Sequence, residues 1–433
     1  MSQTRLPQAY RQKVLDRFAR YVQVGTSSRE AAPADRCPST PGQLDLARLL
    51  HEELVALGAS DVVTSEGGYV YATIPSLPAA GVPVKLPIIG LMAHLDTSEA
   101  APGAGVRPRV IESYDGSDIA YPDDPALRLT VAENPVLKEC VGHTLVTASG
   151  RTLLGADDKA GLAETMTLVE YLLHEGVPHG ELRLCFNPDE EIGRGMDRID
   201  LSRFHPDFAV TLDGGKLGEI EGECFNAATA TVVIKGTNVH PGEAKDKLVD
   251  AALIMSQVVA GLPAATRPEH TEGREPYLFP YRFDRVDTEE CRFQVLLRAF
   301  DLQGLAWMEE ELRTRCTLVQ QKYPGATLEI GVEQKYRNMK AVLDQHPEVM
   351  RRLREACEIQ GVKIIDKPIR GGTDGATLSI RHGIPTPNVW AGGVNMHSRL
   401  EWISLEWMVS AIETMVTMIG LYAGRTRGEA AAA

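Results

Sequence analysis

The chain contains 433 residues, of which 43% are hydrophobic and 24% are charged, and its formal net charge at pH 7 is −14. This length predicts two domains rather than one. The acidic balance argues against nucleic acid or an anionic membrane as a partner, because both favour a basic protein surface. We find no signal-peptide pattern and no run of about eighteen apolar residues, so neither secretion nor a membrane span is predicted.

The seven cysteines are dispersed along the chain without CxxC spacing. An odd and scattered set is typical of free thiols in a reducing compartment. The expected location is therefore the cytoplasm.

The first half of the chain alternates between helical and strand patterns. The predicted elements are, in chain order, helices at 8–24 and 41–57, an apolar strand at 88–96, a hairpin at 144–154, a helix at 159–176, and strands at 181–187 and 207–213. Continuous apolar strands separated by a helix are typical of a parallel α/β sheet. In such sheets ligands bind at the carboxyl ends of the strands.

The pattern changes near residue 224 and changes back after about 345. Between these points the predicted elements are a strand at 226–236, a helix at about 245–260, a strand at 291–301, a helix to about 323 and a strand at 326–336, followed by a helix at 346–360. The inserted strands and helices are typical of a compact α+β sandwich. The sequence thus predicts an α/β catalytic domain, formed by 1–223 and 344–433, that an inserted domain at 224–343 interrupts.

Acidic and histidine side chains follow several of the predicted strand ends. They are His94 and Asp96, the pair Asp157 and Asp158 before a helix, the triplet Asp189, Glu190 and Glu191 in PDEEIG (188–193), Asp213 before two glycines, and the distant His397. Each feature alone has an ordinary explanation, such as a solvated turn or a helix N-cap. Together they offer the imidazole and carboxylate ligands that zinc takes, and two cations would offset the repulsion within the triplet.

Eight motifs make the chain resemble the M20 metallopeptidases, among them the tripeptide aminopeptidases. They are AHLDTS (93–98), LLGADDKAG (153–161), PDEEIGRG (188–195), DGG (213–215), NVHPG (238–242), RPEHTEG (267–273), RGGTDGA (370–376) and GGVNMH (392–397). The resemblance extends over nearly the whole chain. It implies a zinc-exopeptidase-like catalytic domain, with the inserted α+β domain, a ferredoxin-like sandwich, serving as a lid or as a dimerisation domain.

The resemblance also implies a centre of two zinc ions per subunit, for which cobalt or manganese could substitute. His94 and Asp213 would hold the first ion, and Glu191 and His397 would hold the second. Asp157 would bridge both ions, and a cis peptide bond is expected after it.

The catalytic and substrate-binding roles are likewise implied by the resemblance. Glu190 would be the general base that accepts a proton from a zinc-bridging water, and Asp96 would orient His94. His240 of the inserted domain would stabilise the oxyanion, which implies domain closure. Arg298, Arg370 and Asn395 are the candidate substrate-binding residues, because arginine suits carboxylate recognition.

Three functions fit these residues. The first is an aminopeptidase that removes the N-terminal residue of tripeptides with a free amine. The second is a related amidohydrolase: a dipeptidase, a carboxypeptidase or an N-acyl-amino-acid deacylase. The third is an inactive binding or scaffold protein, which would be expected to lack ligands or the base. The expected partner is a short peptide substrate, and the chain is expected to be a monomer or a homodimer. Departures from the family pattern at 398–400 concern substrate preference rather than the predicted ligands.

Overall fold

The structure is a computed structural model that describes residues 4–79, 86–286 and 289–424. Within these ranges, no helix combines the length and the apolar character that crossing a bilayer would require.

The described ranges contain nine α-helices. They are α1 (Gln8–Tyr21), α2 (Gly42–Leu57), α3 (Ala156–His174), α4 (Ala251–Ala260), α5 (Leu302–Lys322), α6 (Lys340–Leu343), α7 (Pro347–Gln360), α8 (Asp374–His382) and α9 (Leu405–Tyr422). The helices predicted at 8–24, 41–57, 159–176 and 346–360 correspond to α1, α2, α3 and α7.

The same ranges contain eighteen strands. They are β1 (Ser60–Thr64), β2 (Val70–Ile74), β3 (Ile89–His94), β4 (Arg109–Ile111), β5 (Ile119–Tyr121), β6 (Asp124–Leu129), β7 (Leu145–Thr147), β8 (Leu182–Asn187), β9 (Phe208–Gly214), β10 (Glu219–Glu221), β11 (Asn226–Lys235), β12 (Tyr277–Arg285), β13 (Glu290–Ala299), β14 (Thr327–Tyr336), β15 (Ile365–Asp366), β16 (Asn388–Trp390), β17 (Gly393–Val394) and β18 (Trp402–Ser404).

The chain divides into two compact units. The first comprises residues 1–222, 341–367 and 373–433, and the second comprises 223–340 and 368–372. This division differs from the predicted domain boundaries at residue 223, at 341–343 and at 368–372. The first unit is therefore discontinuous in sequence, and the second contains one short return segment.

The main sheet of the first unit has eight strands in the order β1-β2-β8-β3-β9-β16-β10-β15. Its four central strands, β8, β3, β9 and β16, run parallel to one another, whereas the β1–β2, β2–β8 and β16–β10 pairs are antiparallel. The predicted parallel sheet thus forms the centre of a mixed sheet. Because β3 lies between β8 and β9, the carboxyl ends of these three strands are adjacent.

Two helices show how the sequence pattern produces this arrangement. The buried residues of α1 include Tyr10, Val14 and Phe18, which recur every four residues and form one apolar stripe. In contrast, α3 is buried on nearly all sides and packs against β3, β9, α1 and α9. Gly161 permits this approach, since a Cβ at that position would lie 1.9 Å from the carbonyl oxygen of Leu212 in β9. The start of α3 is thereby held next to the end of β9.

The prediction of a hairpin at 144–154 is wrong. β7 pairs instead with β18 and β4, which come from distant parts of the chain. The following segment cannot form the second strand, because the N–H groups of Leu154 and Gly155 both donate to the carboxylate of Glu401.

The second unit is a four-stranded antiparallel sheet in the order β12-β13-β11-β14. Its apolar core includes residues of α4 and α5 together with Val232, Phe293 and Val295 of the sheet. The strand pattern at 277–285 was not predicted, because Pro280 interrupts it. Proline is tolerated there because β12 is an edge strand and its pairing with β13 is irregular between Pro280 and Arg282.

Candidate metal centre and active site

The structure brings the five predicted metal ligands together at the carboxyl ends of the central strands. His94 ends β3 and Asp213 lies in β9, while Asp157 lies at the start of α3. Glu191 lies in the turn after β8, and His397 follows β17. The side chains thus come from five separate segments of the first unit.

Asp157 is at the centre of this group. Its Oδ1 lies 2.9 Å from Nε2 of His94, and its Oδ2 lies 3.0 Å from Nε2 of His397. His94 Nε2 also lies 3.5 Å from Oδ1 of Asp213, and His397 Nε2 lies 3.0 Å from Oε2 of Glu191. One carboxylate oxygen of Asp157 therefore faces each histidine, which is the arrangement that a shared ligand requires.

The donor set fits a pair of divalent cations. One ligand atom from each of His94, Asp157 and Glu191 lies within 4.8 Å of the others, and so do ligand atoms from His94, Asp158 and Asp213. Within the described residues, Oε1 of Glu191 is buried and has no hydrogen-bond partner. A buried carboxylate oxygen without a partner is costly unless a cation or donor meets it. Imidazole nitrogen and carboxylate oxygen are ligands that zinc accepts.

The electrostatics of the group also favour positive charge. Burial alone would lower the pKa of His94, but the carboxylates of Asp213 and Asp157 raise it well above its ordinary value. Hydrogen bonds to Asp157 and Glu191 raise the pKa of His397 to about 10. Burial raises the pKa of Asp213 to about 7, and it also raises the pKa of Glu191. The site therefore holds more carboxylates than it can keep ionised without cations.

Asp96 supports both His94 and the acidic turn. Its side chain is fully buried. His94 Nδ1 lies 3.0 Å from the backbone oxygen of Asp96 and 3.5 Å from its carboxylate. The carboxylate accepts hydrogen bonds from the backbone N–H groups of Glu190 and Glu191, at 3.0 and 3.2 Å. The ring of His94 is thus oriented mainly by the main chain, while the carboxylate anchors the turn.

Asp189 stabilises the acidic turn from its other side. This residue has a φ of 61° and is fully buried. Its carboxylate accepts hydrogen bonds from the backbone N–H and the hydroxyl of Ser39 and, at 2.7 Å, from Nε2 of Gln43. The carboxylate of Asp189 thus fixes the start of the turn to the segment at 39–43. Glu190 is half-buried, and burial, followed by the charge of Asp374, raises its pKa well above the ordinary value.

Two buried carboxylates that were assigned no role also belong to this region. Asp158 accepts hydrogen bonds from the N–H groups of His94 and Gly161 at 3.1 and 3.2 Å, so both of its oxygens are occupied by the main chain. Glu401 accepts hydrogen bonds from three N–H groups of the 154–157 segment. Its position four residues after His397 was the only signal in the sequence. The peptide bond between Asp157 and Asp158 is cis, as the resemblance implied.

His240 lies in the second unit. It precedes a single 3-10 turn at Pro241–Glu243, and its exposed ring accepts a hydrogen bond from the N–H of Gly242 at 3.1 Å. Arg298 of β13 donates to the carbonyl oxygens of Ala228 and Leu297 and lies over the ring of Tyr336. Both side chains thus have contacts within their own unit.

The two other candidate substrate-binding residues also have internal contacts. Arg370 donates to the carbonyl oxygens of Gly273 and Glu275 and to the hydroxyl of Thr271. Its guanidinium also lies over two aromatic rings, those of Phe225 and Tyr277. Asn395 has a φ of 56°, and its amide donates to Oδ1 of Asn134 at 2.8 Å.

Comparisons with known proteins identify one family, and individual relatives match nearly the full chain. The family described as "Peptidase family M20/M25/M40" matches residues 150–420. A protein named Peptidase T from Geobacillus thermodenitrificans is 43% identical over 417 residues, which cover 96% of this chain and 100% of the relative. A protein named Peptidase T from Bacillus subtilis is 42% identical, with 94% of this chain and 97% of the relative covered.

Solved structures share the fold. An aminopeptidase PepT from Bacillus cereus matches with a TM-score of 0.72 and 22% identity, covering 96% of this chain and 99% of that one. A tripeptidase from Staphylococcus aureus matches with a TM-score of 0.73 and 20% identity, with the same coverage. A Bacillus subtilis protein described as a dinuclear metal-binding peptidase of family M20 matches with a TM-score of 0.65 and 14% identity, covering 97% and 100%. The predicted fold class is confirmed by these matches.

Proposed function

This chain belongs to peptidase family M20/M25/M40, and from that premise we propose that it is a tripeptide aminopeptidase of the peptidase T type. It hydrolyses the N-terminal peptide bond of tripeptides that carry a free amine. The observation that carries the proposal is the position of Asp157, whose two carboxylate oxygens face His94 and His397 at 2.9 and 3.0 Å. The relatives named Peptidase T support the substrate class, because the similarity covers nearly all of both chains.

We propose that the centre holds two zinc ions, for which cobalt or manganese can substitute. His94 and Asp213 would hold one ion, Glu191 and His397 would hold the other, and Asp157 would be shared between them. When bound, the ions supply Lewis acidity toward the peptide carbonyl and toward water.

Glu190 is the proposed general base. It accepts a proton from the attacking water and then donates that proton to the leaving amine. Glu190 is thereby returned to its initial protonation state. The turn that carries Glu190 is held on one side by Asp96, through hydrogen bonds of 3.0 and 3.2 Å, and on the other by Asp189. This support limits the movement of the base relative to the ligand Glu191, which is its neighbour in the turn.

We propose that His240 donates a hydrogen bond to the oxyanion, and that the second unit therefore acts as a lid. The exposure of the His240 ring is compatible with this role. Arg298, Arg370 and Asn395 remain candidates for binding the peptide. For Arg370, binding would require exchange of its present hydrogen bonds to the segment at 271–275.

We also propose that the protein is cytoplasmic. All seven cysteines are free thiols, which supports a reducing compartment such as the cytoplasm. The active species is a monomer or a homodimer.

The proposal is tested on four matched substrates, with the protein stripped of metal and then with zinc restored. They are a free-amine tripeptide, its N-acetylated form, the corresponding dipeptide and an N-acetyl amino acid. We expect zinc-dependent cleavage of the free-amine tripeptide alone, with release of its N-terminal residue. Cleavage of the N-acetylated substrates as well or better would contradict the proposal and would place the protein with the deacylases or carboxypeptidases.

A further inference from the structure

Glu401 is a buried carboxylate between two of the proposed ligand segments. It lies four residues after His397, just before β18, and its side chain is 1% exposed. Its Oε2 accepts hydrogen bonds from the N–H groups of Leu154 and Gly155, both at 2.7 Å. Its Oε1 accepts a third from the N–H of Asp157 at 3.1 Å. A single side chain thus accepts three N–H groups at the end of the loop that leads to Asp157.

This loop has an unusual need for an acceptor. It runs from β7 to the first turn of α3 without joining a sheet, and Gly155 is left-handed with a φ of 83°. Leu154 and Gly155 are buried, and a buried N–H group must find a partner. A carboxyl group can meet this need, because its two oxygens can accept several such hydrogen bonds.

The position of Asp157 depends on this loop. Its carboxylate reaches His94 on one side and His397 on the other, so a shift of its main chain would move it away from both. Glu401 belongs to the same segment as His397. The carboxylate therefore links one proposed ligand segment to the loop that carries the shared ligand.

We propose that Glu401 is a positioning residue that fixes Asp157 between the two metal positions by binding the N–H groups on its N-terminal side. This inference rests on the proposed metal centre. A purely structural role predicts a different result, in which loss of the carboxylate lowers stability without a selective effect on metal binding.

The test compares Glu401→Gln with Glu406→Gln. Glutamine has nearly the size of glutamate, but its amide group would face backbone N–H donors. Glu406 is a matched control, because its Oε2 also accepts a backbone N–H, that of Thr144 at 2.9 Å, outside the ligand loop. For each protein, zinc affinity and stoichiometry are measured by competition with a chromophoric chelator, and the melting temperature is measured without metal.

We expect Glu401→Gln to weaken zinc binding by about 10- to 100-fold, which is the range for residues that orient metal ligands. Glu401→Asp should recover part of this loss because it keeps two carboxyl oxygens as acceptors, and Glu406→Gln should bind zinc like the wild type. Tripeptide cleavage by Glu401→Gln should recover at high zinc concentration. Wild-type zinc affinity in Glu401→Gln, or an equal loss in Glu406→Gln, would overturn the inference.

A measurement on the unaltered protein covers the case in which neither Glu401 variant folds. Hydrogen exchange of the metal-free protein should show strong protection of the Leu154 and Gly155 amides, and rapid exchange there would contradict the inference. If the unaltered protein binds no zinc, the proposed function fails, and that result is distinct from an unchanged affinity in Glu401→Gln.

Discussion

The three adjacent acidic residues of the 189–191 turn differ in what their side chains contact. Asp189 points into the protein and accepts hydrogen bonds from Ser39 and Gln43. Glu191 reaches His397 with one oxygen, while its other oxygen has no partner among the described residues. Glu190 lies between them. A backbone with left-handed residues at Asp189 and Gly193 directs these neighbouring side chains to different places.

Replacement of Glu190 by glutamine should remove the base without removing a ligand. We expect kcat to fall by about 10²- to 10⁴-fold, the usual contribution of general acid–base catalysis, while zinc stoichiometry stays unchanged. Steady-state kinetics and metal analysis of the same preparation measure both effects. Glu191→Gln is the matched control, and it should lose zinc affinity as well as activity. A decrease of less than tenfold in the Glu190→Gln variant would exclude Glu190 as the base.

Individual site residues could be predicted from the sequence where the residue type and the spacing indicate a chemical role. The five proposed ligands and Glu190 lie in short motifs that can be read directly from the chain. Glu401 could not be assigned a role in this way, because its partners are backbone N–H groups about 245 residues away. Every residue except proline carries such a group, so the sequence does not show which N–H groups need an acceptor. The supporting role of Asp158 was missed for the same reason.

The helix α3 is the element on which the site depends most, because it begins with Asp157 and packs against β3 and β9. Its burial on nearly all sides requires small residues where it meets the sheet. It also carries Glu164, whose two carboxylate oxygens are buried and have no hydrogen-bond partner within the described residues. The packing and the charge of this helix can each be tested.

Gly161→Ala should strongly destabilise the protein. The added Cβ would lie 1.9 Å from the carbonyl oxygen of Leu212, and backbone atoms cannot move aside as a side chain can. We expect a loss of about 3 kcal/mol in the free energy of unfolding, at the upper end of the usual cost of overpacking, measured by chemical denaturation. Gly331→Ala is the control, since nothing lies within 4 Å of a Cβ there, and it should change stability by about 1 kcal/mol or less. Equal effects of the two variants would contradict the proposed close approach.

Glu164 should make stability depend on pH. Burial raises its pKa in the folded protein well above the ordinary value of 4.5, so the folded state retains this proton to a higher pH than the unfolded state does. The contribution of Glu164 to the free energy of unfolding is fully present below the pKa that it has in the unfolded chain. Above that pH the contribution decreases by about 1.4 kcal/mol per pH unit, until the pKa of the folded state is reached.

The variant Glu164→Gln cannot lose this proton. We expect it to match the wild type near pH 4 and to be more stable than the wild type at pH 8, as measured by denaturation across that range. Glu170→Gln on the same helix is a control of opposite sign. The pKa of Glu170 is lowered despite partial burial, because Lys13 and Arg17 contact its carboxylate. If Glu164→Gln has the pH profile of the wild type, Glu164 is ionised when folded.

The elements themselves could be predicted where one face or one run is clearly apolar, as in α1, α3, β3 and β9. The hairpin at 144–154 could not, because β7 pairs with strands from residues 109–111 and 402–404. β12 was hidden by Pro280, which an edge strand tolerates and a central strand would not. These failures concern pairing partners, which local patterns do not encode.

The whole molecule contains two units with separate apolar cores, and the proposed ligands all belong to the first. The change of strand and helix pattern near residues 224 and 345 indicated an inserted domain. It could not predict that residues 368–372 also belong to the second unit, because this segment is only five residues long. A ligand that binds one folded unit stabilises that unit by mass action.

Zinc should therefore raise the unfolding temperature of the first unit selectively. At 100 times its dissociation constant, a single bound ion contributes about 2.7 kcal/mol. Differential scanning calorimetry with and without zinc measures the shift. Val295→Ala, in the core of the second unit, identifies the other transition, since it should lower that transition and leave the zinc shift intact. A single transition that both zinc and Val295→Ala shift would show instead that the units unfold together.

The position of β16 has a consequence for biosynthesis. This short strand lies between β9 and β10 in the main sheet, yet it is made after the whole second unit. His397 emerges from the ribosome roughly 180 residues after Asp213, a delay of roughly 10–40 s at ordinary rates of translation. Until then the edge of β9 is open, and the carboxylate of Asp157 lacks one of the two histidines that it faces in the folded protein. The ribosome must therefore synthesise the inserted unit before the nascent chain acquires the full set of proposed metal ligands.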